Sequence, residues 1–192
     1  MPEPLPPASS DFLALALRNP ANAAILDRWD ALRLTDGWLV AGCLFQTVWN
    51  LRSGRPPQDG IKDYDLFYFD PADLSASGEQ EVQSRVDEVL ADLGITAEAK
   101  NQSRVHLWYE SFFGHPYPAL RDARDGIDRF LVRETCVGVR PSAAGCEVYA
   151  PYGIETVAHG TLTRNALTPH PPLFDAKVAS YRARWPWLRV VD

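Results

Sequence analysis

The feature that most constrains the fold is the stretch KDYDLFYFD at residues 62–70. Its aromatic density and its lack of a helical period predict a β-strand that is buried on much of both faces. Residues two apart in a strand point to the same face, about 7 Å from each other. Asp63 and Asp65 are therefore predicted to present two carboxylates side by side.

Two neighbouring carboxylates repel each other, and each raises the pKa of the other. A divalent cation relieves this repulsion. Mg²⁺ prefers hard oxygen ligands and takes part of its shell from water and substrate phosphates. An Asp-x-Asp pattern is common by chance, however, and by itself is more typical of surface residues at the start of a strand.

A second element precedes this strand. Residues 38–41 form a short apolar run that predicts a strand, and Gly42 ends it before helical spacing begins at Cys43. Backbone N–H groups at a helix start bind phosphate, and glycine lets the ligand approach closely. The helix start thus offers a phosphate-binding site, and the strand that follows it offers metal ligands.

Composition restricts the class of protein. The chain has 192 residues, of which 46% are hydrophobic and 23% charged, with a formal net charge of −6. We expect no membrane span, and an acidic chain argues against long nucleic acid as a partner. An odd cysteine count without an export signal predicts reduced thiols and a cytoplasmic location. The cysteines are Cys43, Cys136 and Cys146.

The remaining pattern predicts a flexible tail over residues 1–9 and a single domain over 10–192. We expect helices over 79–93, 120–131 and 174–184, extended segments over 95–100 and 104–109, and a hairpin from 135–139 to 147–150. Alternating strands and helices followed by further strands predict an α/β (α+β) fold, with a mixed sheet and helices packed against it.

These motifs together resemble the polymerase-β-like nucleotidyltransferase superfamily. Its pattern is Gly-Ser at a helix start, Asp-x-Asp on the next strand, and a third acidic residue on a later strand. Gly42, Asp63 and Asp65 match this pattern. Cys43 stands where the serine belongs, and a thiol is a weaker hydrogen-bond donor than a hydroxyl.

Further segments in the same order resemble an uncharacterised bacterial nucleotidyltransferase family that was once catalogued as a domain of unknown function. The likeness covers roughly residues 35–190 and is carried by segments at 49–50, 101–109, 137–140, 150–153 and 164–165. It implies a polymerase-β-like fold, Mg²⁺ or Mn²⁺ as cofactor, and an NTP as substrate.

The sequence does not decide which residue supplies the third carboxylate. Glu98 alternates with apolar neighbours on a predicted strand, as the superfamily pattern requires. Glu110 is the alternative, at the end of the next predicted extended segment. A third possibility is that no such ligand exists. If present, the group would serve as a metal-assisted general base toward an acceptor hydroxyl.

Other residues are candidates for nucleotide binding. Arg52 is placed to neutralise a triphosphate, since arginine binds phosphate bidentately. Asn101 and Gln102 are candidates for contacts to a base edge or a ribose. The ordinary interpretation is a solvated face for Arg52, and a turn whose backbone is satisfied by side chains for Asn101 and Gln102.

The sequence therefore predicts a metal-dependent nucleotidyltransferase that moves an NMP from an NTP to an unknown acceptor and releases pyrophosphate. The acceptor is left open among a small molecule, a protein side chain and an RNA end. The alternative is a catalytically weak or inactive nucleotide-binding or partner-binding protein that retains the fold. A metal-dependent glycosyltransferase is a third interpretation, but it leaves the Gly42-Cys43 element without a role.

Overall fold

A computed structural model describes residues 9–191. The predicted tail over residues 1–9 lies outside this range except for its last residue, which begins a helix. The helices are α1 Ser9–Ala16, α2 Pro20–Asp27, α3 Trp29–Leu32, α4 Gly42–Arg52, α5 Ala76–Leu90, α6 Val105–Phe113, α7 Ala123–Ile127, α8 Glu155–His159 and α9 Pro171–Arg184. The strands are β1 Trp38–Val40, β2 Asp63–Tyr68, β3 Thr96–Asn101, β4 Gly138–Ser142, β5 Gly145–Tyr149, β6 Thr161–Thr163 and β7 Arg189–Val191.

The main sheet has five strands in the order β3-β2-β1-β4-β5. β2 and β3 run parallel, because α5 crosses between them, whereas β1 pairs antiparallel with both β2 and β4. β4 and β5 form the predicted hairpin. The strands β6 and β7 form a separate parallel pair. The predicted mixed sheet with helices against it is confirmed.

Tryptophans anchor α4 to the C-terminal part of the chain. Trp49 and Trp185 are fully buried and meet edge to face, with ring centroids 5.2 Å apart. Each indole N–H has an acceptor: Trp49 donates to the Val157 carbonyl at 2.8 Å, and Trp185 donates to Asn50 Oδ1 at 3.1 Å. These satisfied donors allow large aromatic groups to be buried without leaving a polar atom unpaired. The helix that begins at Gly42 is thereby tied to the C-terminal part of the chain.

Side chains of α5 bind the outer edge of β3. Gln83 donates to the Ala97 carbonyl and accepts from the Ala99 N–H, both at 2.8 Å. Glu79 accepts from the Asn101 N–H at 2.9 Å. Backbone groups on the exposed side of this strand therefore have partners from within the same molecule.

Two predicted elements are wrong. Residues 104–109, expected to be extended, form a single helical turn and the first part of α6. The helix expected over 120–131 is only the short α7. The first error has a physical cause: aromatic and β-branched residues favour strands, but here they repeat at helical spacing through to Phe113.

Among the described residues, no helix is both long enough and apolar enough to cross a membrane.

Candidate active site

β2 turns one row of side chains toward a cavity and the other into the core. Asp63, Asp65 and Phe67 line the cavity. The opposite row is buried and consists of Tyr64, Leu66 and Tyr68. This alternation anchors the strand by its apolar side and holds the two carboxylates on the open side, as predicted from their spacing.

Asp65 has an environment that opposes its ionisation. Burial, followed by the charges of Glu98 and Asp63, raises the pKa of Asp65 to about 6, and the cations Lys177 and Lys100 counteract part of this rise. A carboxyl group that is both desolvated and surrounded by like charge gains free energy when a cation binds beside it. This perturbed group in a cavity marks a candidate functional site.

Glu98 lies on β3 opposite Asp65 in the parallel ladder. Its carboxylate pairs with Lys100 at 3.7 Å, and both side chains are about half exposed. Glu98 borders a shallow depression on the outer side of β3 rather than the main cavity. Its charge still reaches Asp65, so Glu98 is the nearer of the two candidates for a third acid.

Glu110, the alternative, lies on α6 and is exposed to solvent. It does not line the cavity. Its expected position at a strand end is wrong, because that segment is helical and carries the carboxylate on the side of α6 opposite the cavity-lining Trp108 and Tyr109.

The start of α4 faces the same cavity as the carboxylates. Gly42 lines it, and a Cβ at this position would come within 3.0 Å of Gln46 Nε2. The first N–H groups of a helix have no intrahelical acceptor, so those of Gly42 and Cys43 are available to an anion. Ala41 precedes them with φ 51° and ψ −113°, a left-handed conformation that favours glycine.

The Cys43 side chain points away from the cavity. It is fully buried, and its Sγ lies 3.6 Å from the Val40 carbonyl oxygen. Burial raises the pKa of the Cys43 thiol well above its usual range. Any phosphate contact at this position therefore comes from the backbone N–H and not from the side chain.

The cavity has a volume of about 520 Å³. Residues of α4, β2, α6, α7 and α9 surround it. Among the described residues, five cationic side chains line it against two carboxylates. The cations are Lys62, Lys100, Arg129, Lys177 and Arg184. In a chain of net charge −6, this local excess of positive charge suits a polyanionic ligand.

The helix α9 supplies a wall of the cavity that the sequence analysis missed. Its lining residues recur at helical spacing and are Leu173, Lys177, Ser180, Tyr181 and Arg184. Arg184 donates to Gln46 Oε1 at 2.7 Å and to the Asp59 carbonyl at 3.0 Å. The arginine therefore links α9 to α4 and to the loop before β2. The sequence carries no clear signal for this wall, because apolar and polar residues are not segregated onto separate faces of α9.

Aromatic side chains form another part of the cavity wall. Trp108, Tyr109 and Phe113 come from α6, and Tyr117 follows in the next loop. Tyr109 and Tyr117 lie with ring centroids 4.3 Å apart. Phe67 of β2 stacks on Phe130 at 5.4 Å. The cavity wall thus combines charged side chains with a group of aromatic rings.

The structure does not bring two of the predicted nucleotide-binding residues to the cavity. Arg52 lies at the far end of α4, where it donates to the Ala158 carbonyl and stacks over Trp187 at 4.1 Å. Asn101 is 1% exposed, and its side chain binds backbone groups of Asp70, Asp73 and Ser103. The turn interpretation fits Asn101, and a packing role fits Arg52.

Gln102 does line the cavity. It is 2% exposed, and its Nε2 donates to the Lys100 carbonyl at 3.2 Å. Its side chain also packs directly on the Cα of Gly126, where any larger residue would collide with it. Gln102 is therefore held in one position at the cavity wall.

The donor set of the cavity suits a divalent metal. Asp63 and Asp65 supply hard oxygen ligands on one face, which suits Mg²⁺ or Mn²⁺ bound mainly through water and substrate phosphates. Within residues 9–191, no group of three or more His, Cys, Asp or Glu side chains is arranged to hold a metal ion by itself. The residues fit a cation that arrives with a phosphate ligand better than a permanently caged one.

A mixed sheet that presents paired carboxylates and a helix start to one cation-lined cavity defines a protein of the nucleotide-transfer class. The chain belongs to the nucleotidyltransferase family, whose family model matches residues 27–190. The predicted family membership is thereby confirmed.

One solved structure is similar over nearly the whole length of the chain. Its title states that "the NMR structure of the protein reveals a CCA-adding enzyme head domain". The two share 26% sequence identity with a TM-score of 0.76, and the match covers 96% of each chain. No curated protein sequence matches the chain closely enough to count as a relative.

Proposed function

We propose that the protein transfers an NMP from an NTP to an acceptor, with release of pyrophosphate. The observation that carries this proposal is the convergence of Asp63, Asp65 and the start of α4 on one cavity rimmed by cations. Family membership supports nucleotidyl transfer in general. The metal, the donor and the residue roles are our inference from the cavity.

Each part of the cavity has a role in this proposal. Asp63 and Asp65 would hold Mg²⁺ or Mn²⁺, which when bound neutralises the triphosphate and the charge that develops at the α-phosphorus. The N–H groups of Gly42 and Cys43 would bind a phosphate oxygen. Lys177 and Arg184 lie on the facing helix and would hold the remaining phosphate charge.

Glu98 is proposed as the group that accepts the proton of the acceptor hydroxyl. It lies beside Asp65 in the sheet and about half of its side chain is in contact with solvent. This role would require the Glu98 carboxylate to leave its ion pair with Lys100. Such a surface pair is weak, commonly worth about 0–1 kcal/mol, so it is easily exchanged for another partner.

The test is a titration of the full chain with ATP, CTP, GTP and UTP, with and without Mg²⁺, followed by transfer assays with α-labelled NTP. We expect metal-dependent binding that Asp63→Asn and Asp65→Asn abolish. Glu98→Gln should retain binding and lose transfer. Glu110→Gln is the matched control and should behave as the parent protein. Metal-independent binding, or full binding by the two aspartate variants, would falsify the proposed site.

A second candidate is a nucleotide-binding protein without transfer activity. It is favoured by one observation: the described residues contain no three-ligand acidic cluster, and Glu98 is paired with Lys100. The two candidates differ in the labelled assay. Metal-dependent binding without pyrophosphate release or a labelled product, over a broad set of acceptors, would favour the binding protein.

A further inference from the structure

We propose that the aromatic part of the cavity wall holds the nucleobase of the NTP, packed against the ring cluster of Tyr109, Phe113 and Tyr117, with Arg129 contacting the edge of the base. This inference rests on the proposed function, because it assumes that a triphosphate occupies the carboxylate end. It assigns a second compartment to that site. This compartment gives the protein a structural basis for selectivity among the four NTPs.

The two compartments lie along one strand. Asp63, Asp65 and Phe67 are successive cavity-facing residues of β2. Each step along this row is about 7 Å. The Phe67 side chain therefore lies about 7 Å beyond Asp65 along β2. This distance leaves room for a ribose between a phosphate held at Asp65 and a base held among the rings.

The rings in this part of the wall form a preformed aromatic cluster with Tyr109 at its centre, so a base would pack on the outside of the cluster and not on a face of Tyr109. Tyr109 lies between Tyr117 at 4.3 Å and Phe113 at 4.6 Å, measured between ring centroids. All three side chains line the cavity. Stacking of one base on an aromatic side chain strengthens binding roughly 5- to 150-fold, and every base offers a face for it.

Arg129 is the polar group of this compartment. Its guanidinium lies over the Tyr117 ring at 5.6 Å, and its hydrogen bond to the Leu167 carbonyl is long, at 3.4 Å. The two nearby carboxylates are engaged elsewhere: Asp125 pairs with Arg121, and Asp128 accepts from Tyr149. Within the described residues, Arg129 forms no ion pair, and its Nε is buried without a hydrogen-bond partner.

A guanidinium can only donate hydrogen bonds. It therefore favours a base with adjacent acceptors on one edge, and guanine, with O6 and N7, is the base that a guanidinium matches bidentately. Such a pair discriminates between bases by roughly tenfold or more. We expect GTP to bind more tightly than ATP, CTP and UTP.

The experiment compares inorganic tripolyphosphate with the four NTPs in the presence of Mg²⁺, by calorimetry on the full chain. Tripolyphosphate reports the carboxylate end alone. We expect GTP to bind at least roughly tenfold more tightly than tripolyphosphate. Tyr109→Leu should remove this advantage without weakening tripolyphosphate, and Tyr109→Phe, which keeps the ring, should retain it.

Arg129→Gln should weaken GTP binding much more than tripolyphosphate binding, and should thereby abolish the preference for GTP. Arg133→Gln is the matched control, because Arg133 also stacks on a tyrosine, Tyr152 at 4.5 Å, but does not line the cavity. Thermal melts of each variant establish that it is folded. An equal loss of GTP and tripolyphosphate binding in Arg129→Gln would overturn the base-edge role, because it would make Arg129 a phosphate ligand.

The outcomes separate this inference from the proposed function. If tripolyphosphate binds with metal and the NTPs bind no more tightly, the base compartment is wrong and the proposed function stands. If neither tripolyphosphate nor any NTP binds, the proposed function fails, and this inference fails with it.

Discussion

Asp65 and Glu98 lie directly opposite each other on the parallel strands β2 and β3. Glu98 is one of the charges that, with burial, raise the pKa of Asp65 to about 6. The folded state thus binds a proton at Asp65 more tightly than the unfolded state, where the pKa is near 3.8. The stability associated with this proton is present below about pH 4 and is lost as the pH rises through about 6.

Asp65→Asn should therefore stabilise the apo protein at neutral pH, by about 1–3 kcal/mol in the free energy of unfolding. The gain should disappear near pH 4, where the parent carboxyl is already neutral. Urea unfolding of the parent protein and of Asp65→Asn, from about pH 4 to neutral pH, measures this difference in the free energy of unfolding. The control, Glu110→Gln, should show no such pH-dependent gain. A constant difference at all pH values would mean that the charge of Asp65 is not the cause.

Lys177→Ala should weaken metal-dependent NTP binding by roughly tenfold, because it removes a cavity cation that also acts on Asp65. Arg182→Ala is the matched control, since Arg182 lies on the same helix but is exposed and does not line the cavity. Calorimetry on both variants distinguishes a local contact from a general change of charge. Equal losses would contradict the local assignment.

Asn101→Ala should lower the free energy of unfolding by about 2–4 kcal/mol, because the buried amide satisfies several backbone groups at once. NTP affinity of the fraction that remains folded should not change. Asn101→Asp keeps the acceptor but places a buried carboxylate oxygen against two carbonyl oxygens, so at neutral pH it should destabilise the protein at least as much as the alanine variant. A selective loss of NTP affinity at unchanged stability would restore the nucleotide-binding role.

Ala41→Gly should not destabilise the protein, although glycine substitutions usually do. The strained backbone of Ala41 costs of order 1–3 kcal/mol, and glycine relieves it at an entropic cost of about 0.5–1 kcal/mol. The control Ala24→Gly, in the middle of α2, should lose about 1 kcal/mol. Parallel thermal melts compare them, and an equal loss in both would show that Ala41 is unstrained.

Cys43→Ser should leave NTP affinity within about twofold of the parent, because the side chain faces the Val40 carbonyl and not the cavity. A gain in affinity would mean that the side chain at this position does reach the phosphate. The prediction thus tests whether the thiol in place of the usual serine weakens the site. Calorimetry with the best-binding NTP provides the measurement.

Local sequence patterns were sufficient to predict the features that depend on a single helix or strand. The alternation in β2 predicted which carboxylates share a face, and the change of spacing at Gly42 predicted the start of α4. The helix predicted over residues 79–93 corresponds to most of α5 and the helical turn that follows it. In each case the periodicity of burial is a property of the element itself.

Features that depend on tertiary packing were missed. Nothing in the spacing of Lys177 and Arg184 shows that α9 packs against the start of α4, because that contact joins distant parts of the chain. Arg52 was expected near the phosphates from its position in the sequence, yet the eleven residues of α4 carry it to the opposite end of the helix. The strand preference of the aromatic residues in α6 was overridden by their helical spacing.

The hydrogen bonds from Gln83 and Glu79 to β3 have a consequence for association. An outer strand with unpaired backbone groups is a template on which another polypeptide can add a strand. Here the Ala97 carbonyl and the Ala99 and Asn101 N–H groups are already taken by α5. The sheet is thereby closed to growth at the strand that carries Glu98, which protects this edge of the protein against association through an added strand.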